Sequence, residues 1–190
     1  MTPAAGPAAA RPACAWWIKC DPTAAAHGGW NWPDLFEGYR AGEPYLWSVG
    51  TALSQKNARL AKKADPVFGY AAGEGFRRLL ALAEVERGGV FVPGERPPNA
   101  ASGLPGGFTV ALRPVALLAN SVSLLEVRRA LARHDPEFLR TRFGSIFKVR
   151  AFELAALIAL VQRANPDAPI PRAWRPRAGG PRPAPGGTKG

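Results

Sequence analysis

The apolar positions of this chain fall into short runs broken by proline, glycine and charge. The first is "AWWIKCDPT", residues 15 to 23, where Trp16 and Trp17 stand side by side ahead of Lys19, Cys20 and Asp21-Pro22. In a strand over about 15 to 20, successive side chains point to opposite faces, so one tryptophan meets a core that its neighbour cannot share. "WPDLFEG" predicts a short helix over 32 to 38, with Pro33 suited to its first turn. "PYLWSV" predicts a strand over 44 to 49, and "SQKNARLAKKA" a helix over 54 to 64 with Ser54 as N-cap. "PVFGYAAG", 66 to 73, reads as a strand with a leading proline. "FRRLLALAEVER", 76 to 87, has helical composition, but a hairpin turn at "AAGEG" suits both flanks and predicts a strand. "FTVALRPVALL", 108 to 118, reads as a strand bent at Pro114.

In "VSLLEV", 122 to 127, Ser123 and Glu126 have the spacing of a capping box, and Val122 and Val127 that of a hydrophobic staple. The helix so started should run to about His134, with a second helical piece in "PEFLRTRF", 136 to 143. "SIFKVR", 145 to 150, reads as a strand, and "AFELAALIALVQRAN" as a last helix with Phe152, Ala155, Leu157 and Leu160 on its apolar face. Short strands with connections too irregular for βαβ units predict an α+β domain. Its centre should be a small, strongly curved mixed sheet or β-barrel with flanking helices.

Composition sets the bounds of that domain. Residues 1 to 13 are Ala/Pro-rich, and the chain beyond Pro166 is Pro/Gly/Arg-rich, so the expectation is one domain over 14 to 165 between a disordered arm and a disordered tail over 166 to 190. The first residues lack a basic region and are interrupted by Pro3, Pro7 and Pro12, unlike a signal peptide, so the expectation is a cytoplasmic protein. No run reaches the ~18 apolar residues of a membrane helix. Cys14 and Cys20 lie roughly 20 Å apart along one extended segment, too far for a disulfide. Two cysteines and two histidines form no zinc motif, so no metal and no cofactor are expected.

The net charge is +11. Five basic and no acidic residues lie in 168 to 190, yet the remaining body is also basic. A polyanionic partner, most simply nucleic acid, follows from that balance; the plainer reading is that the charge only keeps the protein in solution. No Walker loop, nucleophile elbow or zinc signature accompanies it. A thiol enzyme would have to use Cys20 with His27. Five of the six tryptophans (Trp16, Trp17, Trp30, Trp32, Trp47) lie in the first 47 residues, with Phe36, Tyr39, Tyr45, Phe68 and Tyr70 in the same half. Most should build a core; those that line a pocket in a basic protein would stack on flipped-out or single-stranded bases.

Several stretches resemble an EVE domain of the PUA-like superfamily, related in fold to the YTH readers of methylated RNA. "WWIKCDP" (16 to 22) is similar to that family's opening strand, "LWSVG" (46 to 50) to its tryptophan with small neighbours, and "KKADPVFGYAAG" (62 to 73) to its Gly-Asp and Val-Phe-x-Tyr stretch. "LLALAEV" (79 to 85) and "FGSIFKVRAFELAALIALV" (143 to 161) resemble its small-residue strand and closing segment. Ala64 stands where the family usually has Gly, and Cys20 where it commonly has Ser. The resemblance covers about 14 to 165. It implies a module that holds a modified base, such as 5-methylcytosine or 5-hydroxymethylcytosine in DNA, in a pocket beside the first strand. Carried over by position, the base-binding candidates are Trp17, Lys19, Cys20, Trp47, Ser48, Tyr70 and Ala71. The cations expected to meet phosphates are Lys56, Arg59, Lys62, Lys63, Arg77, Arg78, Arg140 and Arg142. The alternative is an RNA-binding module of the same fold, acting on tRNA or rRNA without reading a modification.

Overall fold

A computed structural model describes residues 14–21, 31–40, 45–48, 51–73, 75–92, 107–141 and 145–175. The expected arm, most of residues 88 to 107, His27, Trp30 and Arg142 lie outside the described residues. In chain order the elements are β1 (Ala15–Cys20), α1 (Trp32–Arg40), β2 (Tyr45–Ser48), α2 (Ala52–Leu60), β3 (Pro66–Ala71) and β4 (Arg78–Val92). Then follow β5 (Gly107–Ser123), α3 (Leu124–Ala130), α4 (Glu137–Arg140), β6 (Ile146–Val149), α5 (Ala151–Ala164) and a single 3-10 turn, Arg172–Trp174.

The strands form one six-stranded mixed sheet in the order β2-β5-β4-β3-β1-β6. β1 pairs β3 in parallel; every other pairing is antiparallel. The expectation of short strands is corrected here: β4 and β5 run for 15 and 17 residues. The ambiguous segment from 76 is therefore strand, and it continues through Gly88 and Gly89 instead of ending there. A Cβ on either glycine would collide with the carbonyl oxygens of Ala61 and Ala58, so only bare backbone lets α2 lie across β4. Four register shifts interrupt the β4–β5 ladder. Such irregularities bend and twist a strand pair. One falls at Pro114, which has no N–H to give a ladder.

The sheet stays open: among the described residues its end strands, β2 and β6, do not pair, so the expected barrel is not closed by strands. Helix α2 bridges the opening instead. The Oγ of Ser54 accepts from the Ser145 amide (2.9 Å), and the Nδ2 of Asn57 donates to the Ile146 carbonyl (2.8 Å). On the other side the Oε1 of Gln55 accepts from the amide of Phe108 at the start of β5 (2.9 Å). This use explains why Ser54 is not the N-cap. Thr51 caps the helix, its Oγ1 accepting from the Ser54 amide at 3.2 Å.

Both faces of the sheet are covered, and this settles the Trp16–Trp17 question. One core gathers Trp16, Ile18, Trp32, Leu35, Trp47, Val67 and Ala83. The other gathers Trp17, Phe68, Leu82, Phe138, Phe147, Leu157 and Trp174. Each tryptophan of the pair is fully buried, against a different core. The capping box of Ser123 and Glu126 is present, with Val122 and Val127 buried beside it.

Two further expectations are corrected. Phe152 lies on the outer side of α5, 44% exposed, while Leu157, Ile158, Leu160 and Val161 carry the buried face. The chain also stays ordered past residue 165. Ile170 and Trp174 are buried in the second core, and the indole N–H of Trp174 donates to Glu84 (3.1 Å), which also holds Arg113. Two large apolar side chains in a basic, proline-rich segment were enough to fold it back on the sheet. Cys14 and Cys20 are not joined by a disulfide. No helix among the described residues is long and apolar enough to cross a membrane, which says nothing of crossing by strands.

Candidate nucleic-acid interface

The parallel pairing of β1 with β3 decides which candidates meet. Lys19 stands beside Tyr70 and Cys20 beside Ala71 in register. Neighbours in register share a face, and the faces alternate along the strands. The base-binding candidates therefore split. Trp17, Lys19 and Tyr70 lie on one face; Cys20, Trp47 and Ala71 lie on the other. They cannot line a single pocket. The backbone of Ser48 ends β2, and its side chain lies outside the described residues.

On the Cys20 face the indoles of Trp32 and Trp47 lie parallel, 5.9 Å between centroids and 5° between planes. Trp32 was expected only as a core residue at the start of a helix; nothing in a single strand or helix pattern pairs it with Trp47. It is seated on the bare backbone of Gly69. Burial, followed by the carboxylates of Asp21 and Asp34, pushes the Cys20 thiol up to about 12. At neutral pH it is a thiol and not a thiolate, and a nucleophile needs the thiolate. His27, the base such a nucleophile would require, lies outside the described residues.

Asp65 holds this side together. It is 1% exposed, and its Oδ2 accepts from the Trp16 indole N–H (2.9 Å) and the Lys62 amide (2.9 Å), while its Oδ1 accepts from the Cys14 amide (3.2 Å). Ala64 precedes it at φ 68°, the left-handed region that glycine occupies without strain. The alanine therefore carries backbone strain at this one position.

On the opposite face Trp17 is packed between Tyr70 (5.1 Å, 34°) and Phe138 (4.6 Å, 16°). Its buried indole N–H has no partner among the described residues. Lys19 extends along the Phe147 ring, its ammonium 4.6 Å from the centroid, and donates to the Thr141 carbonyl (2.7 Å). Burial pulls that ammonium down to about 8. Burial also raises the Tyr70 hydroxyl, against the opposing pull of Arg77 and Arg128. Phe138 and Arg128 were not singled out from the sequence, because each comes from a different short helix brought in by the chain's return.

The phosphate candidates form separate groups. Lys56, Arg59, Lys62 and Lys63 are exposed on α2 and the turn after it, with Arg59 lying 5.3 Å over the Phe108 ring. Arg77 and Arg78 are exposed where β4 begins. Arg140 is exposed on α4 and paired with Asp135 at 3.5 Å.

No protein-family model matches the chain, and no curated protein matches it in sequence. Solved structures do. The human THYN1 protein in complex with 5-methylcytosine-containing DNA is similar with a TM-score of 0.60 and 16% identity, over 79% of this chain and 98% of that one. A Leishmania major protein is similar with a TM-score of 0.61 and 19% identity, over 79% and 95%. A protein of Agrobacterium tumefaciens is similar with a TM-score of 0.60 and 20% identity, over 80% and 93%. The DUF55 domain of human thymocyte nuclear protein 1 is similar with a TM-score of 0.61 and 17% identity, over 78% and 98%. At these identities the likeness is one of architecture: the chain shares the fold of that DUF55 domain.

Proposed function

We propose that this chain is a cytoplasmic nucleic-acid-binding module that reads a modified base, 5-methylcytosine or 5-hydroxymethylcytosine in DNA, and carries out no catalysis. The observation that carries the reading is the parallel Trp32–Trp47 pair on the face of Cys20 and Ala71. A flat base is held best by flat rings, and one stack is worth ~1–3 kcal/mol. The Cys20 thiol and the Ala71 methyl are buried beside that pair as its small apolar neighbours. A methyl group buried there gains ~0.8 kcal/mol, about a fourfold preference. The fold shared with a protein in complex with 5-methylcytosine-containing DNA supports the same reading by analogy.

The reading narrows the base-binding set. On this reading Cys20, Trp47 and Ala71 meet the base together with Trp32; all four are buried, Trp47 at 4% exposure, so a base reaches them only when that core opens. Trp17 and Tyr70 serve as packing on the other face. Lys56 and Arg59 on α2, and Lys62 and Lys63 on the turn after it, meet phosphates.

Tryptophan fluorescence with short oligonucleotides at fixed salt tests it. The set is DNA carrying cytosine, 5-methylcytosine or 5-hydroxymethylcytosine, and matched RNA with and without N6-methyladenosine. Wild type should prefer a modified DNA base, and Trp47→Ala should lose more affinity for modified than for unmodified strands. Equal losses would overturn the pocket. Preference for structured RNA over every DNA would establish the alternative module that reads no modification.

A further inference from the structure

Taking a base out of a duplex leaves a gap in the stack, and proteins that do so often fill it with an apolar side chain. The turn between β3 and β4 is built to present such a group. Cys20 and Ala71 end their strands side by side, and the Ala72 amide donates to the Cys20 carbonyl (2.6 Å). The chain then turns, with Gly75 at φ 80° and Arg77 at φ 35°. The Phe76 amide donates to Gly73 (3.2 Å), and the Arg78 guanidinium donates back to the carbonyls of Phe76 (2.9 Å) and Gly75 (3.4 Å). The amide of Leu124 ties the far side to the Arg77 carbonyl (3.1 Å).

On this braced turn Phe76 is 40% exposed and belongs to neither core. Four other large apolar side chains are exposed among the described residues, but Phe152, the other aromatic, already has Arg150 and His134 against its ring. Phe76 is followed directly by two arginines, and no ion pair among the described residues uses either. Left-handed backbone at an arginine is strain of the kind that persists where a side chain must be aimed. We infer that Phe76 is a wedge that enters duplex DNA at the position vacated by the flipped base, with Arg77 and Arg78 on the flanking phosphates. The inference rests on the base-flipping reading above and adds its duplex-opening residue.

The test compares wild type, Phe76→Ala and Phe76→Trp on a duplex carrying the preferred modified cytosine, on the single strand, and on a duplex in which that cytosine is mispaired. Loss of one aromatic stack predicts about a tenfold weaker duplex complex for Phe76→Ala. Single-strand affinity should stay within about twofold, since no stack needs filling there. The mispaired duplex should recover most of the loss, and Phe76→Trp should bind the paired duplex like wild type. Equal losses on duplex and single strand, or no loss on either, would overturn the wedge while leaving the pocket standing. A wild type without preference for any modified base would overturn the pocket and the wedge with it.

Discussion

The ring of Trp32 rests on the backbone of Gly69: a Cβ on that glycine would stand 2.6 Å from the indole Cδ2. The β3–β4 register also shifts at this point, between Gly69 and Tyr70. Gly69→Ala must therefore displace Trp32, and with it the Trp47 stack. Overpacking of this kind costs ~1–3 kcal/mol. We expect that loss in urea denaturation together with weakened binding of modified oligonucleotide. A variant with wild-type stability and wild-type binding would show that Trp32 can move freely.

Asp65 accepts from three donors on two segments, Cys14 and Trp16 at β1 and Lys62 after α2. Asp65→Ala takes the acceptor from all three, leaving the buried Trp16 indole N–H without it, at roughly 1–3 kcal/mol. Trp16→Phe removes one donor and should lose less on the Asp65→Ala background than on wild type. A double-mutant cycle in denaturant measures the difference. Strict additivity would mean that the indole hydrogen bond contributes nothing.

Lys19 gives the protein a pH signature. Its ammonium titrates near 8 in the fold against an ordinary 10.5, because burial penalises the charge. Between those values the unfolded chain holds the proton and the folded chain does not, so stability rises with pH through that window. Below about 8 both states are protonated and the penalty is fully present. Lys19→Met should abolish this part of the rise, seen by comparing denaturation midpoints at about pH 7.5 and about pH 10. Parallel profiles for both proteins would mean that the amine is solvated.

Trp174 joins the C-terminal segment to the sheet through Phe68, 6.1 Å between centroids, and Glu84. Trp174→Ala should cost ~3–5 kcal/mol. Deleting 176–190 removes Arg177, Arg182 and Lys189 and should weaken every nucleic acid alike while flattening the salt dependence of binding. A change in base preference after that deletion would show that the segment reads sequence.

Local pattern alone placed most elements of this protein. β1, α1, β3, β6 and α5 lie within a few residues of where alternation and periodicity put them, and the Ser123–Glu126 box marked the start of α3. These signals are legible because they depend on neighbours in the chain. The family resemblance then gave the fold, through residues scattered over the domain.

What pairs with what across the chain was decided only by the tertiary structure. Trp16 and Trp17 announced two faces, but that both faces are dry follows from α1 and α2 packing on one side and α4, α5 and Trp174 on the other. The split of the pocket candidates is a register fact: β1 lies parallel to β3, so Cys20 joins Ala71 while Lys19 joins Tyr70. Composition marked the last segment as polar and proline-rich, and two large side chains outweighed it by burying their surface. Alternation tells a residue that it has a face; only the folded sheet tells it what that face meets.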